Sequence, residues 1–218
     1  MSIVTIERKV LARNDEVAQQ NRDLFARHGL FVFNLVSSPG AGKTSLLERT
    51  LETLKASLKI AVVEGDVQTD FDAQRVARYG VPVVQIVTHG GCHLEAKLVQ
   101  DALAHLTLDG LDVLVIENVG NLVCPANYDL GEALKVVLVS TTEGDDKPLK
   151  YPGMFRNASV LVINKTDLLP YVNCNLAALR QNALQINPSL LVFETSCTTK
   201  AGIAEWCEWI AARAPQRP

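Results

Sequence analysis

The chain has no basic excess: 21 lysines and arginines stand against 24 aspartates and glutamates, for a net charge of −3. A protein that holds nucleic acid through its phosphates needs the opposite balance, so no nucleic-acid partner is expected. No apolar run reaches the roughly 18 residues that would span a bilayer, so no membrane contact is expected either. The opening MSIVTIERKV lacks the apolar core of a signal peptide, which makes the cytoplasm the expected location. The five cysteines, Cys92, Cys124, Cys174, Cys197 and Cys207, are odd in number and far apart, which argues against a disulfide framework. Internal repeats and low-complexity stretches are missing as well. What remains is 218 residues, 48% hydrophobic, enough for one large α/β domain whose sheet is covered on both sides.

One stretch organises this chain. Ser37 to Thr44, SSPGAGKT, follows the apolar run Phe31 to Val36 and opens a leucine-striped segment, which is strand, loop and helix in succession. A phosphate chain needs several backbone N–H groups converging on it, and Gly40 and Gly42 remove the side chains that would intervene. Lys43 offers a cation to the β and γ phosphates, and Thr44 a hydroxyl suited to Mg²⁺. Ala41 and Ser45 complete the nucleotide-binding run. Only the first position departs from G-x-x-x-x-G-K-[ST], with Ser37 where glycine is usual. An ordinary glycine-rich turn is the plainer reading, but such a turn has no need of Gly-Lys-Thr between a strand and a helix.

In an open parallel sheet the ligand lies outside the carboxyl ends of the strands. Ile60 to Val63 reads as a buried strand running into Glu64-Gly65-Asp66, and Asp66 there is a candidate for holding Mg²⁺ or orienting water. Capping the helix from Phe71 to Tyr79 is an equally open role for it, with Thr69 and Asp70 as competitors. After the strand Val83 to Val87 come Thr88-His-Gly-Gly-Cys-His93 and a helix from Leu94 to His105. The strand Val113 to Ile116 delivers Glu117-Asn-Val-Gly120, where a P-loop NTPase sets an acidic residue toward Mg²⁺ and a glycine N–H toward the γ-phosphate. Cys124 follows on the same segment. Lys43, Asp66 and Glu117 are thus the catalytic candidates, and Gly120 a nucleotide contact. No glutamine stands out to position water, so slow turnover is expected.

Two further strands, Val136 to Ser140 and Val160 to Ile163, flank TTEGDDKPLKYPGMF, whose polarity and prolines read as an exposed loop with solvated lysines. The second delivers Asn164-Lys165-Thr166-Asp167. In N-K-x-D the aspartate accepts from the N1–H and exocyclic amine of guanine, Lys165 lies over the ring and Asn164 fixes the loop. Adenine would leave that carboxylate unpaired, a loss that supports discrimination of about 10⁴-fold or more. Ser196 and Cys197, after the strand Leu190 to Phe193, are further candidate base contacts. In the last helix Ile203, Trp206, Cys207 and Ile210 share one buried face. Residues 1–29 read as one or two surface helices with sparse apolar points at Val10, Leu11, Val17, Leu24 and Phe25, ended at His28-Gly29. Residues 30–218 then form a three-layer α/β P-loop NTPase domain around a mostly parallel sheet.

Cys92, His93 and Cys124 are soft donors suited to Zn²⁺ or Ni²⁺. Adjacent ligands seldom reach one ion with ease, and three donors fall short of a closed site unless a second copy contributes. A buried cysteine beside a helix-starting histidine is the plainer reading of the residues alone. His28, His89 and His105 read as surface or loop histidines.

Taken together, SSPGAGKT, VVEGDVQTDFDAQR, THGGCH, ENVGNLVCPA, TEGDDKPLKYPGMF and NKTDLL resemble the hydrogenase nickel-incorporation GTPases, HypB, from about Ile6 onward. The resemblance implies a SIMIBI-type fold, GTP-dependent dimerisation, and a nickel or zinc site near the dimer interface made by Cys92, His93 and Cys124. It also implies two further partners, a second nickel chaperone and the hydrogenase large subunit. On that footing the segment Glu117 to Cys124 joins nucleotide state to metal coordination. Many members of that family carry cysteines or histidines near the N-terminus, whereas here none precedes His28, so a separate storage site for nickel is not expected. The urease nickel GTPase, UreG, is the neighbouring family to separate from this one; its Cys-Pro-His motif differs from Cys92-His93. A metal carrier for which GTP is only a structural ligand would carry the same motifs. A small-molecule kinase would share the phosphate loop, but NKTD argues against it.

Overall fold

The computed structural model describes residues 5–215, with side chains from residue 11 onward, so the side chain of Val10 and residues 1–4 lie outside it. The chain opens with α1 (Thr5–His28), β1 (Phe31–Ser37), α2 (Lys43–Leu54), β2 (Ile60–Asp66) and α3 (Phe71–Ala77). It continues through β3 (Val83–Val87), α4 (Ala96–Leu103), β4 (Val113–Glu117) and β5 (Leu134–Ser140). Then follow α5 (Lys147–Lys150), α6 (Pro152–Asn157), β6 (Val160–Asn164), α7 (Leu176–Ile186), β7 (Leu191–Glu194) and α8 (Ile203–Ala211).

The seven strands form one sheet in the order β3-β2-β4-β1-β5-β6-β7, and every neighbouring pair is parallel. The mostly parallel expectation is therefore met in full. A parallel sheet needs cover on both faces, which is why β1, β4 and β6 are buried along their whole length. Side chains alternate between the faces. Phe33, Leu35, Val62 and Val115 meet α2, α3 and α8 on one side, while Val32, Val63 and Leu114 meet α4 and Phe25 of α1 on the other. Beyond them on that second face, Val137, Val139 and Leu161 pack on Phe155 of α6 and Leu179 of α7.

The α8 stripe is core, as its spacing predicts. Trp206 lies edge-on to Phe33 and Phe193, with ring centroids 5.9 and 5.6 Å away, and its indole N–H donates to Thr50 Oγ1 at 2.9 Å. That bond gives the one polar atom of a buried ring a partner.

Two expectations need correction. The N-terminal segment is one helix across its described residues, and it is more than a surface helix: Asn14, Ala18, Asn21 and Phe25 are buried. Asn21 donates to the carbonyls of Ala96 and Leu130, and Asn14 accepts from the N–H of Ala96, so polar bonds replace much of the apolar stripe the sequence lacks. The stretch TTEGDDKPLKYPGMF is not an exposed loop. It forms a 3₁₀ turn at Thr141–Glu143 and the helices α5 and α6, and buries Pro148, Met154 and Phe155. Lys147 is likewise not solvated, since its ammonium donates to Ser38 Oγ at 3.0 Å and pairs with Glu143 at 3.1 Å.

Candidate functional site

Because all strands run one way, their carboxyl-end loops collect along one edge, and the loop after β1 meets those after β2, β4 and β6. Gly42 adopts φ 107° and caps α2, whose first turn holds no acidic residue. The positive end of the helix is left for an anion. A side chain at Gly42 would run into Asn164 Nδ2. Asn164 in turn donates to the carbonyl of Ala41 at 3.1 Å, and Lys165, itself left-handed at φ 61°, donates to that of Gly40 at 2.7 Å. The phosphate loop and the N-K-x-D loop thus fix one another.

The cleft so formed is about 400 Å³, and Gly40, Gly42, Thr44, Ser45, Asp66 and Gly120 line it together with Lys43, Glu117 and Lys165. Gly120 lies close against the phosphate loop, since a Cβ would stand 3.0–3.1 Å from Pro39. Lys43 Nζ rests on Ser37 Oγ at 3.2 Å, so the hydroxyl at the departing first position serves the lysine as a partner. Asp66 does not cap α3. Its Oδ1 accepts the N–H groups of Gln68 and Thr69 and the hydroxyl of Thr69, at 2.8, 2.7 and 3.2 Å. Burial works against ionisation of Asp66, yet those bonds hold its carboxyl below the usual range.

Sequence reasoning passed over Glu64. It lies in register with Glu117 across β2 and β4, on the face that meets α2. Thr44 Oγ1 donates to Glu117 Oε1 at 2.8 Å, while Glu117 Oε2 and Glu64 Oε1 are buried without a hydrogen-bond partner among the described residues. Burial, and then the charge of Glu117, pushes Glu64 far up, and burial raises Glu117 as well. Both shifts disfavour two ionised carboxyls side by side, so with no cation bound the pair favours keeping a proton. Unpartnered buried oxygens beside a threonine hydroxyl are the donor set of a hard divalent cation, so these residues fit Mg²⁺. The available signal was a glutamate interrupting a buried strand; its partner was not visible, because register is tertiary.

The remaining candidates lie outside this cleft. Asp167 is half-buried and makes no hydrogen bond or ion pair among the described residues, which leaves its carboxylate for a base. Ser196 is fully buried, with its N–H donated to the carbonyl of Ala201 and its hydroxyl accepting from Thr199. Its polar groups are spent inside the loop. Cys197 is half-buried, and Arg49 donates to its carbonyl at 2.8 Å.

Cys92, His93 and Cys124 converge. Their donor atoms all lie within 4.8 Å of one another, with Cys92 Sγ 2.8 Å from Cys124 Sγ and 3.5 Å from His93 Nδ1. Although adjacent ligands seldom aim at one point, Cys92 and His93 do so here, after a turn in which Gly90 adopts φ 101°. Two thiolates on one tetrahedral ion stand roughly 3.8 Å apart, so a small parting of the sulfurs admits a metal. Burial keeps His93 below its usual pKa against the pull of Glu95, which favours the neutral, ligating form. Its ring lies 4.0 Å from that of Tyr128. The other histidines stand apart: His28 pairs with Asp109 at 2.9 Å, and His89 and His105 are exposed.

An all-parallel sheet, a glycine phosphate loop opening α2 and an N-K-x-D loop locked to it define a P-loop protein of the GTPase type. Residues 31–194 match the family model described as CobW/HypB/UreG, nucleotide-binding domain. The chain is 53% identical over 209 residues to the hydrogenase maturation factor HypB of Azotobacter vinelandii, covering 95% of this chain and 69% of that one. It superimposes with a TM-score of 0.87 and 36% identity on HypB from Helicobacter pylori, solved in complex with nickel, over 94% of this chain and 99% of that one. The signal recognition particle receptor FtsY from Elizabethkingia anophelis, at 14% identity and a TM-score of 0.57 over 94% of this chain and 72% of that one, shares the fold alone. The chain therefore belongs to the CobW/HypB/UreG family and, within it, to the hydrogenase maturation factors HypB.

Proposed function

We infer that this chain hydrolyses GTP slowly and uses the nucleotide to control its hold on a soft divalent ion, nickel or zinc, during hydrogenase maturation. The observation that carries the reading is that one segment, Glu117 to Cys124, begins in the phosphate cleft and ends in the thiol and imidazole cluster. The nickel found with the relative from Helicobacter pylori supports it.

The N–H groups of residues 40–45 and the positive end of α2 cradle the phosphates, and Lys43 leaves Ser37 to balance their charge. Thr44, Glu117, Asp66 and Glu64 are the residues that would hold Mg²⁺. When bound, that ion supplies positive charge beside the transferring phosphoryl group. Glu117 or Asp66 orients the attacking water, and Gly120 offers its N–H to the γ-phosphate. Asp167 reads guanine, with Asn164 and Lys165 as its supports. At the other end Cys92, His93 and Cys124 give the cargo ion three donors, and a second copy of the chain completes the set. By likeness to that family, we propose a homodimer responsive to nucleotide and metal, working in the cytoplasm with a second nickel chaperone and the hydrogenase large subunit.

The test combines phosphate release from GTP in the absence of any acceptor, retention of Ni²⁺ after gel filtration, and mass by light scattering with and without nucleotide. Slow release from GTP and not ATP, one bound ion per cluster or per pair of clusters, and a nucleotide-dependent dimer are expected. Release that requires an acceptor, or failure to retain Ni²⁺ or Zn²⁺, would overturn the reading.

A further inference from the structure

The loop holding Cys92 and His93 and the loop from Glu117 to Cys124 come from different strands, and two asparagines tie them together. Asn118 is buried. Its Oδ1 accepts the N–H of Leu94, immediately after His93, at 3.1 Å, and the N–H of Val119, immediately before Gly120, at 3.0 Å. Its Nδ2 donates to Asn34 Oδ1 at 3.2 Å, and its own N–H to the carbonyl of Leu35 in β1 at 2.9 Å. Asn34 in turn donates to Glu132 at 3.3 Å, and Glu132 pairs with Lys135 at 3.3 Å. The side chain therefore pivots on a fixed base in the sheet, with one oxygen shared by the phosphate-facing and metal-facing loops. Only a carboxamide can accept twice and donate once in that plane; aspartate would lose the donation and set a negative charge against Asn34 Oδ1.

Asn121 makes a second tie, at the rim. Its Nδ2 donates to the carbonyl of Cys92 at 3.1 Å, and its Oδ1 accepts the N–H of Val123, next to Cys124, at 2.9 Å. One amide thus fixes the backbone beside both sulfurs. The rest of the metal loop is held from the β2 side: Thr88 donates its N–H to the carbonyl of Asp66 and its hydroxyl to that of Gly91, and Leu94 is seated over Gly65, where any Cβ would strike it at 2.8 Å, while Cys92 is exposed.

We propose that Asn118 and Asn121 are positioning residues that make the spacing of Cys92, His93 and Cys124 follow the position of Gly120, and so transmit nucleotide state to the metal site. The proposal rests on the functional reading above and names the bonds through which its coupling runs. A γ-phosphate that draws Gly120 inward moves Val119 N, and with it the oxygen that Leu94 shares. Linkage requires the reverse effect to be equal, so bound metal alters nucleotide affinity by the same factor.

The experiment measures Ni²⁺ affinity by competition with a chromophoric chelator, on full-length protein saturated with GDP or with the β,γ-imido analogue of GTP. In the parent protein the two affinities should differ by about 5- to 150-fold, the span of ordinary coupling. Asn121→Ala removes one tie between the loops, and the ratio should shrink by about 2- to 10-fold, the worth of one such bond. Asn118→Ala should shrink it further. Should Asn118→Ala fail to fold, Asn121→Ala at the surface still decides the matter. A purely structural role would weaken metal binding equally in both nucleotide states, and variants that keep the parent ratio overturn this proposal alone. A parent ratio of one overturns it together with the functional reading. The matching change in nucleotide affinity with and without Ni²⁺ must give the same ratio.

Discussion

The phosphate cleft and the thiol cluster share one segment of chain but are built by opposite means. In the cleft two carboxylates stand buried at strand ends, Glu64 and Glu117 held face to face by sheet register, with two of their oxygens left without partners among the described residues. At the cluster Cys92 and His93 stand on a loop and Cys124 opens a 3₁₀ turn, Cys92 is exposed, and the sulfurs already touch. A rigid site holding unmet charge gains most from a ligand that supplies the counter-charge. An exposed thiol can shift to admit its ion at smaller cost than a buried carboxylate, because less packing has to be undone. The first is suited to sensing the nucleotide and the second to yielding.

The largest expected effect tests whether the two regions are separable. Lys43→Ala should lower phosphate release by about 10²- to 10³-fold, the usual loss when a positioned charge stabiliser is removed. Its Ni²⁺ affinity without nucleotide should stay within about twofold, because among the described residues Lys43 bonds to Ser37 and not to the cluster. A collapse of both activities would mean that the cleft and the cluster are one cooperative unit. Next in size, Cys124→Ser should weaken Ni²⁺ binding by at least about 10- to 100-fold, the range seen when even an outer partner of a ligand is lost. Nucleotide affinity measured without metal should not change. In the parent protein, metal affinity should also rise with pH, since the thiols release protons on binding and the bond that Cys92 donates to Cys124, then burial, raises the Cys92 thiol.

The smallest effect concerns the shared proton. Burial and the neighbouring charge carry Glu64 from 4.5 up to about 11, so the folded protein keeps a proton that the unfolded chain gives up. That contribution is complete below the unfolded pKa and is lost as pH rises from there toward the folded value. Without nucleotide or Mg²⁺ the parent should therefore lose thermal stability between about pH 6 and pH 9. Glu64→Gln keeps the shape without the titration and should flatten that fall, at about 2–4 °C for each 1 kcal/mol recovered. Unchanged slopes would show that the pair holds no proton and that the cleft is less strained than its geometry indicates.

Glycine spacing around Lys43 and the N-K-x-D run that begins on the last residue of β6 were legible because each motif is contiguous and takes its meaning from the strand before it. Polarity misled at TTEGDDKPLKYPGMF, where Pro148, Met154 and Phe155 are buried although charged residues surround them in sequence. It misled again at Lys147, which is fastened to the phosphate loop. Val17 and Phe25 suggested a lightly held first helix, and nothing in their spacing announced that Asn14 and Asn21 would dock it by hydrogen bonds.

By itself the sequence determined which groups are present: a phosphate loop, an N-K-x-D loop, an acidic residue ending β4 and three soft donors. Those depend on bonds among near neighbours and on strand period, which a linear string records. Tertiary structure alone decided which groups meet: Glu64 against Glu117, Cys92 against Cys124, and Asn118 between Leu94 and Val119. The order of strands brought β2 and β4 side by side and set their register, and contacts between segments so far apart in the chain are fixed by packing rather than by spacing.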